Sequence, residues 1–331
     1  MPSIIVRNLR KIFKRPLKSE GFKGILEFYF HQKYEEVEAL KGISFGAEPG
    51  KILTILGPNG AGKTTILKIL TGIIHPTSGT VRVLGHIPQK RESKFLHRIG
   101  FLSSQKRFAE YTAWDLPPVD LFRLVKAIYN IDDKTYKSRM DYLISTLDIT
   151  DFLNVTVRKL SMGQKAKVEI IAAVLHFPEV LFLDEPTLGL DVVAAENLRN
   201  FIRDYKNEVG ATVILTSHYV KDIEALSDEL IVLNQGEIIF RGNISQIYEE
   251  FSRHRIVKFT FETQKEMELP LPDKIVQKDA TGVSYKVEAN RTRELVRYFV
   301  ENFEVKDIVI EDEELEDIIK RIYRGEHEKV H

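Results

Sequence analysis

The sequence predicts a parallel α/β domain followed by a small α+β module, and three observations carry that expectation. Short apolar runs, KILTIL (51–56), VLFLD (180–184) and TVILTS (212–217), read as buried strands set between helical stretches. A glycine-rich segment, GPNGAGKTT (57–65), joins the first of these strands to TTILKILTGI, which reads as a helix. Beyond residue 242 the texture changes to alternating strands and amphipathic helices.

Taken in order, IIVRNL (4–9) alternates like a strand and VEALKGISF (37–45) carries a second strand signal. Between them lies an insert, residues 14–36, in which Phe22, Ile25, Leu26 and Tyr29 fall at helical spacing. Helices are expected over 119–147 and 161–176, split by a loop around LNVTVRKL, so that residues 106–176 form a helical subdomain. A further helix is expected over 192–208. The predicted domains are 1–245 and 252–331. In the second, IVKFTFET, VSYKVEA and VKDIVIED read as strands, and TRELVRYFVENF and LEDIIKRIYR as helices. The acidic run EDEELED (311–317) is expected to be a solvated helix entrance, and no polar cluster in this module suggests a pocket.

Composition removes several classes of function. With 331 residues the chain can build about two domains. Lys+Arg and Asp+Glu both total 48, so the net charge of zero gives no basic footprint for nucleic acid, and no nucleic-acid partner is expected. The absence of cysteine excludes disulfides, thiolate metal sites and cysteine nucleophiles. The segment MPSIIVRNLRKIFKR has no apolar core long enough for a secretory signal, and no run reaches the roughly 18 apolar residues a membrane span needs. A cytoplasmic location is the expectation.

The motifs supply the chemistry. Gly57, Pro58, Asn59, Gly60, Ala61, Gly62, Lys63 and Thr64 fit G-x-x-x-x-G-K-[ST] in full. Such glycines let backbone N–H groups curl round a β-phosphate, and the helix that follows, through Thr65, directs its positive end at it. Lys63 is placed to reach the β- and γ-phosphates, and the Thr64 hydroxyl to ligate Mg²⁺. In LFLDEP, Asp184 ends an apolar strand where it can hold Mg²⁺ through water, and Glu185 is the natural group to polarise an attacking water. A nucleotide with Mg²⁺ is therefore the expected ligand, and the resemblance that follows makes the nucleotide ATP.

Together LSMGQ (160–164), DEPTLGLD (184–191), Gln105 after FLSS, and TSH (216–218) resemble the nucleotide-binding subunit of ATP-binding cassette (ABC) transporters, over roughly residues 1–245. The resemblance implies that Ser161 and Gly163, with Gln164 beside them, face the γ-phosphate held by a second copy of the chain. It implies that Gln105 senses Mg²⁺ and water, that Asp191 sits at the dimer seam, and that His218 holds Glu185 and the γ-phosphate. An aromatic residue after the first strand would stack on adenine: Phe13 is the best match and Tyr34 its rival. Met162 departs from the common LSGGQ signature, and glycine's freedom of backbone angle is lost there. Neither half of such a site is complete in one chain, so ATP would close a head-to-tail dimer and hydrolysis would open it.

The insert, WDLP (114–117), LDVVAAENLR and SHYVKDIEAL look like an exporter-type branch that works with separate permeases of the ABC-2 type, at the cytoplasmic face of the membrane. Residues 252–331 resemble the carboxy-terminal domain of drug-exporter ATPases, where dimerisation or regulation is expected. Trp114 and residues 108–119 either line the groove for a permease or pack within the helical subdomain. The insert either lies on the permease or membrane surface or caps its own domain. The alternative function is a soluble ABC ATPase in a cytosolic assembly or remodelling complex.

Overall fold

A computed structural model describes residues 2–16, 34–103, 114–262, 270–271, 274–278 and 281–325. The chain divides into two compact units, Met1–Arg241 and Gly242–His331. The helix expected in the insert lies outside the described residues, as do Gln105 and residues 108–113 of the groove segment.

In the first unit, strands β3 (Ile52–Leu56), β6 (Val180–Asp184) and β7 (Thr212–Ser217) are buried along their whole length. Continuous apolar runs of this kind belong in the middle of a parallel sheet covered on both faces. They lie side by side there, in the order β5-β6-β7-β3-β8-β9, with β5 at Ile99–Leu102, β8 at Glu229–Asn234 and β9 at Glu237–Gly242. The register sets Leu56 beside Ser217 and Asp184 beside Thr216. Three carboxyl-terminal strand ends therefore meet at one edge, where open α/β sheets bind ligands.

Alternate residues of these strands enter two different cores. Leu181, Leu183, Val213 and Leu215 pack against helices α3 (Pro118–Ile128), α4 (Asp133–Leu147), α5 (Met162–Val174) and α6 (Val192–Val209). Val180, Phe182 and Ile214 pack on the other face, against α1 (Lys63–Leu70), α2 (Ser93–Leu96) through Phe95, and an antiparallel sheet ordered β2-β1-β4. Each fully buried Leu, Ile or Phe contributes about 1.5–3 kcal/mol. The antiparallel sheet corrects one expectation. Residues 14–16 and 34–36 do not belong to an insert but lengthen β1 (Ile4–Pro16) and β2 (Tyr34–Ala47), pairing as far as Pro16 and Tyr34. The period-two pattern had faded there because these residues stand on an exposed ribbon, past the point where β1 pairs with β4 (Ser78–Val83).

The second unit has a four-stranded antiparallel sheet, β11-β12-β10-β13, with β10 at His254–Phe261, β11 at Ile275–Lys278, β12 at Gly282–Glu288 and β13 at Val305–Asp312. Its core is Val257, Phe259, Tyr285 and Val287 against Leu295 and Phe299 of the helix Thr292–Asn302. Two elements were not anticipated. Strand β11 is short and largely exposed, and helix Ile244–Phe251 announces itself only through the Asn243–Gln246 capping box. Two expectations for this unit are corrected. Glu313 is not solvated: it is 2% exposed and ion-paired with Arg321 and, at 3.1 Å, with Lys286. Burial pushes its carboxyl up, but hydrogen bonds from Arg321 and Lys286 together outweigh this and hold it below the usual range. The chain turns inward between β13 and the helix Leu315–Arg324, which carries that one carboxylate with it. A cleft of about 340 Å³ also opens among His254, Lys274, Lys286, Glu288 and Arg291, polar residues scattered in sequence and gathered by the sheet.

Candidate nucleotide site

The glycine loop leaves β3 at Leu56 and enters α1 at Lys63. Gly62 has φ of +110°, and a Cβ there would meet the Ala39 carbonyl oxygen at 2.8 Å. Gly57 is as tightly placed: its Cβ would come within 2.6 Å of the Leu233 carbonyl. Only glycine fits either position. At the tip, Gly60 has φ of +82° and nothing within 4 Å of a Cβ, so the loop is tight at its base and open at its crown. Ala61 accepts the Gly236 N–H at 3.0 Å, which braces the loop against the turn between β8 and β9. Helix α1 has no side-chain cap on Gly62. The first N–H groups of a helix lack partners within it, so Lys63, Thr64 and Thr65 present theirs at the crown.

Lys63 is buried, and its ammonium donates to the Gly57 carbonyl at 2.5 Å and pairs with Glu185 Oε1 at 3.0 Å. The other carboxylate oxygen, Oε2, lies 2.6 Å from His218 Nδ1. Glu185 follows the last residue of β6 with φ of +51°, uncommon for a residue with a side chain, and its N–H donates to Thr216. Such a conformation costs on the order of 1–3 kcal/mol and recurs where a side chain must be aimed. Asp184 is fully buried; it accepts from the Thr64 hydroxyl at 3.0 and 3.1 Å and from Thr216 at 2.8 Å. Lys63, Thr64, Asp184, Glu185 and His218 thus form one connected cluster at the three strand ends.

The donor chemistry fits Mg²⁺. No group of three or more His, Cys, Asp or Glu that could hold a metal exists among the described residues. A hydroxyl and a single carboxylate, Thr64 and Asp184, suit an ion that keeps waters and binds substrate phosphates rather than an all-protein cage.

A second cluster forms at the start of α5. Ser161 caps the helix, accepting the Gln164 N–H at 3.2 Å while Gln164 Oε1 accepts the Ser161 N–H at 2.9 Å. A Cβ on Gly163 would lie 3.2 Å from Ala194 Cβ, and one on Gly189 3.8 Å from the Met162 thioether methyl, so this helix start abuts the loop that carries Asp191. Asp191 itself caps α6, accepting from the Ala194 N–H at 2.9 Å. Met162 occupies the first helical position without a positive φ, so the freedom lost with glycine is not needed there. Among the described hydrogen bonds none joins Ser161, Met162 or Gly163 to residues 57–65.

Phe13 lies half-exposed on β1 opposite Val37, with the Lys11 ammonium 4.9 Å from its ring centre; Tyr34 is exposed at the end of the same ribbon. Trp114 is half-exposed, with the buried Lys165 ammonium 4.6 Å above its ring, which ties it to α5. His176 makes a useful contrast with His218. It is buried, stacked on Tyr129 at 3.8 Å and hydrogen-bonded to the Ile99 carbonyl, and burial lowers its pKa to about 4, the signature of a neutral structural histidine. Sequence reasoning missed Thr187, Arg199, Thr216 and Asp222, all buried or nearly so around the cluster at the strand ends. The one available signal was the polar pair Thr216-Ser217 ending an otherwise apolar strand.

Comparison with known proteins addresses the family and the fold. Residues 40–188 match the family model described as ABC transporter. The chain is 32% identical over 221 residues to the ABC transporter ATP-binding protein NatA of Bacillus subtilis, covering 66% of this chain and 88% of that one. It is 35% identical to an uncharacterized ABC transporter ATP-binding protein of Methanocaldococcus jannaschii, covering 74% and 79%, and 30% identical to a daunorubicin resistance ATP-binding protein of Streptomyces coeruleorubidus, covering 68% and 70%. Among solved structures, an ATP-binding subunit of an ABC transporter superposes with a TM-score of 0.60 at 23% identity, over 74% of this chain and 91% of that one. A dimeric ATP-binding cassette bound to ADP and phosphate superposes with a TM-score of 0.58 at 22% identity, over 73% and 98%. At these identities the structural likeness speaks to the fold.

Proposed function

Because this chain belongs to the family of ABC transporter ATP-binding proteins, and is an ATPase of that family, we propose that it works as a head-to-tail dimer whose ATP-driven closure powers a separate ABC-2-type permease, for export. The observation that carries the reading is the separation of two clusters. Lys63, Thr64, Asp184, Glu185 and His218 are joined at the strand ends, whereas Ser161, Gly163 and Gln164 stand at another helix start beside the Asp191 loop. A γ-phosphate held by the first cluster is completed by the second cluster of another copy, and so favours the closed dimer by its differential affinity.

Within one copy, the free N–H groups at the start of α1 bind the phosphates, and Lys63 neutralises them. When Lys63 turns to phosphate it gives up its pairing with Glu185, which frees that carboxylate to accept a proton from water. His218 keeps Glu185 in place through Oε2 during that exchange. Thr64 and Asp184 would hold Mg²⁺, which neutralises charge on the phosphate oxygens. Gln105 is proposed as the residue that reads this state, Phe13 as the adenine platform, and Asp191 as a seam residue.

Export is supported by relatives named for daunorubicin and linearmycin resistance. Among the described residues no helix is long and apolar enough to cross a membrane. The permease is proposed to be a separate chain, with this one docked at its cytoplasmic face. The second unit is proposed to serve dimerisation or regulation.

Two experiments test the reading. Glu185→Gln should bind ATP, lose turnover by roughly 10²- to 10⁴-fold and accumulate as closed dimers; turnover near the wild-type rate refutes the assigned base. Tagged full-length chain should be recovered from native membranes, in mild detergent, with a stoichiometric polytopic partner. Recovery only with cytosolic proteins would favour an assembly ATPase instead.

A further inference from the structure

Asp222, four residues after His218, is fully buried, and its carboxylate bonds the residues that follow Glu185 and precede His218, together with Arg199 of α6. Its Oδ2 accepts the Thr187 hydroxyl at 2.6 Å and the Ser217 hydroxyl at 2.7 Å, while Oδ1 accepts from Arg199 at 3.0 Å. Thr187 lies two residues beyond Glu185, and Ser217 directly precedes His218. Ser217 Oγ in turn accepts the Tyr219 N–H at 3.0 Å, so the backbone on both sides of His218 is pinned. Arg199 reaches in from α6, two turns after the Asp191 cap, and is itself largely buried. Glu185 and His218 meet through a single 2.6 Å side-chain contact, the Glu185 N–H also donates to Thr216, and Asp222 adds a side-chain tie between the residues that follow Glu185 and precede His218.

We propose that Asp222, charge-balanced by Arg199, is a positioning residue for ATP hydrolysis: by holding Thr187 and Ser217 on one carboxylate oxygen it fixes the Glu185–His218 pair in its working geometry. The inference rests on the assignment of Glu185 and His218 as the catalytic pair. Its physical basis is that one oxygen accepting two hydroxyls locks the distance between the two loops that carry them. A displacement of about 1 Å in a catalytic group can cost on the order of 10²-fold in rate. Arg199, 3.0 Å from Oδ1, supplies the buried counter-charge, since breaking a buried pair by removing one partner is strongly destabilising.

Removing Asp222 alone would strand the Arg199 charge and risk unfolding, so the test is made in an Arg199→Leu background of the full chain. There, Asp222→Asn keeps one oxygen for both hydroxyls and should leave kcat within about twofold of wild type. Asp222→Leu removes it and should lower kcat roughly 10- to 100-fold, with ATP affinity unchanged. If that pair proves unstable, Thr187→Val with Ser217→Ala cuts the same two bonds from the other side and should show the same loss. In a His218→Ala background, Asp222→Leu should add no further loss, because there is no longer a pair to position. Wild-type kcat in the leucine variant, or a loss of equal size with and without His218, would overturn the proposal. Glu185→Gln measured alongside separates the two levels: if it retains turnover, the underlying catalytic assignment fails, whereas an inactive Glu185→Gln with an active leucine variant sinks only the role of Asp222.

Discussion

Two helix starts in the first unit are opposites. Helix α1 begins at a left-handed glycine with no side-chain cap, and helix α5 begins at Ser161 with a reciprocal capping box. Both point polar N–H groups outward, but the first leaves them free and the second has satisfied two of its own. The uncapped end is unstable by itself and suited to an anion, which supplies the missing acceptors. The capped end holds its shape without a ligand. Its serine oxygen is occupied as an acceptor, yet its O–H remains to donate, which suits the proposed contact with phosphate on another copy.

This contrast can be broken at four points. Gly62→Ala should do the most damage, because it forces a side chain onto φ of +110° and against the Ala39 carbonyl. Strain of about 1–3 kcal/mol would weaken ATP binding by roughly 10- to 100-fold, read by equilibrium titration; unchanged affinity would mean the loop relaxes freely. Ser161→Ala should weaken ATP-driven dimerisation by roughly tenfold or more, measured by analytical ultracentrifugation of the Glu185→Gln protein, while ATP binding to a single copy holds. It should also cost about 1 kcal/mol of stability through the lost cap. If single-copy binding falls as well, the two clusters are not divided between copies.

Met162→Gly addresses the departure from the common signature. Because Met162 is ordinarily helical, glycine should cost on the order of 0.5–1 kcal/mol in chemical denaturation and leave turnover intact. A gain in stability would show that the methionine is strained. Smallest of the four, Gln164→Ala opens one arm of the capping box, for about 0.5 kcal/mol, with dimerisation scarcely altered. A loss matching that of Ser161→Ala would give Gln164 a direct part at the phosphate.

Much of this was legible in the residues. The strands β3, β6 and β7 could be read because they are buried on both faces, which makes each a nearly continuous apolar run such as VLFLD. The glycine loop was legible because its glycines are sterically enforced, as at Gly57 and Gly62. The long ribbon through Pro16 and Tyr34 was not, since its exposed end loses the apolar alternation that marks a strand. Glu313 read as one more surface acid in a run of acids, and only the turn into the last helix buries it.

The sequence alone determined the chemistry available: a loop that only glycine can make, a lysine and a threonine at its end, two acids closing an apolar strand, and a histidine closing another. Those are local matters of backbone angle, side-chain type and period. What tertiary structure decided was adjacency. The order β6-β7-β3 brings residues 63, 184 and 218 to one edge, φ at Glu185 turns its carboxylate between Lys63 and His218, and Asp222 gathers Thr187, Ser217 and Arg199 from three segments. Such contacts depend on which strands pair and in what register, and a one-dimensional pattern carries no term for that.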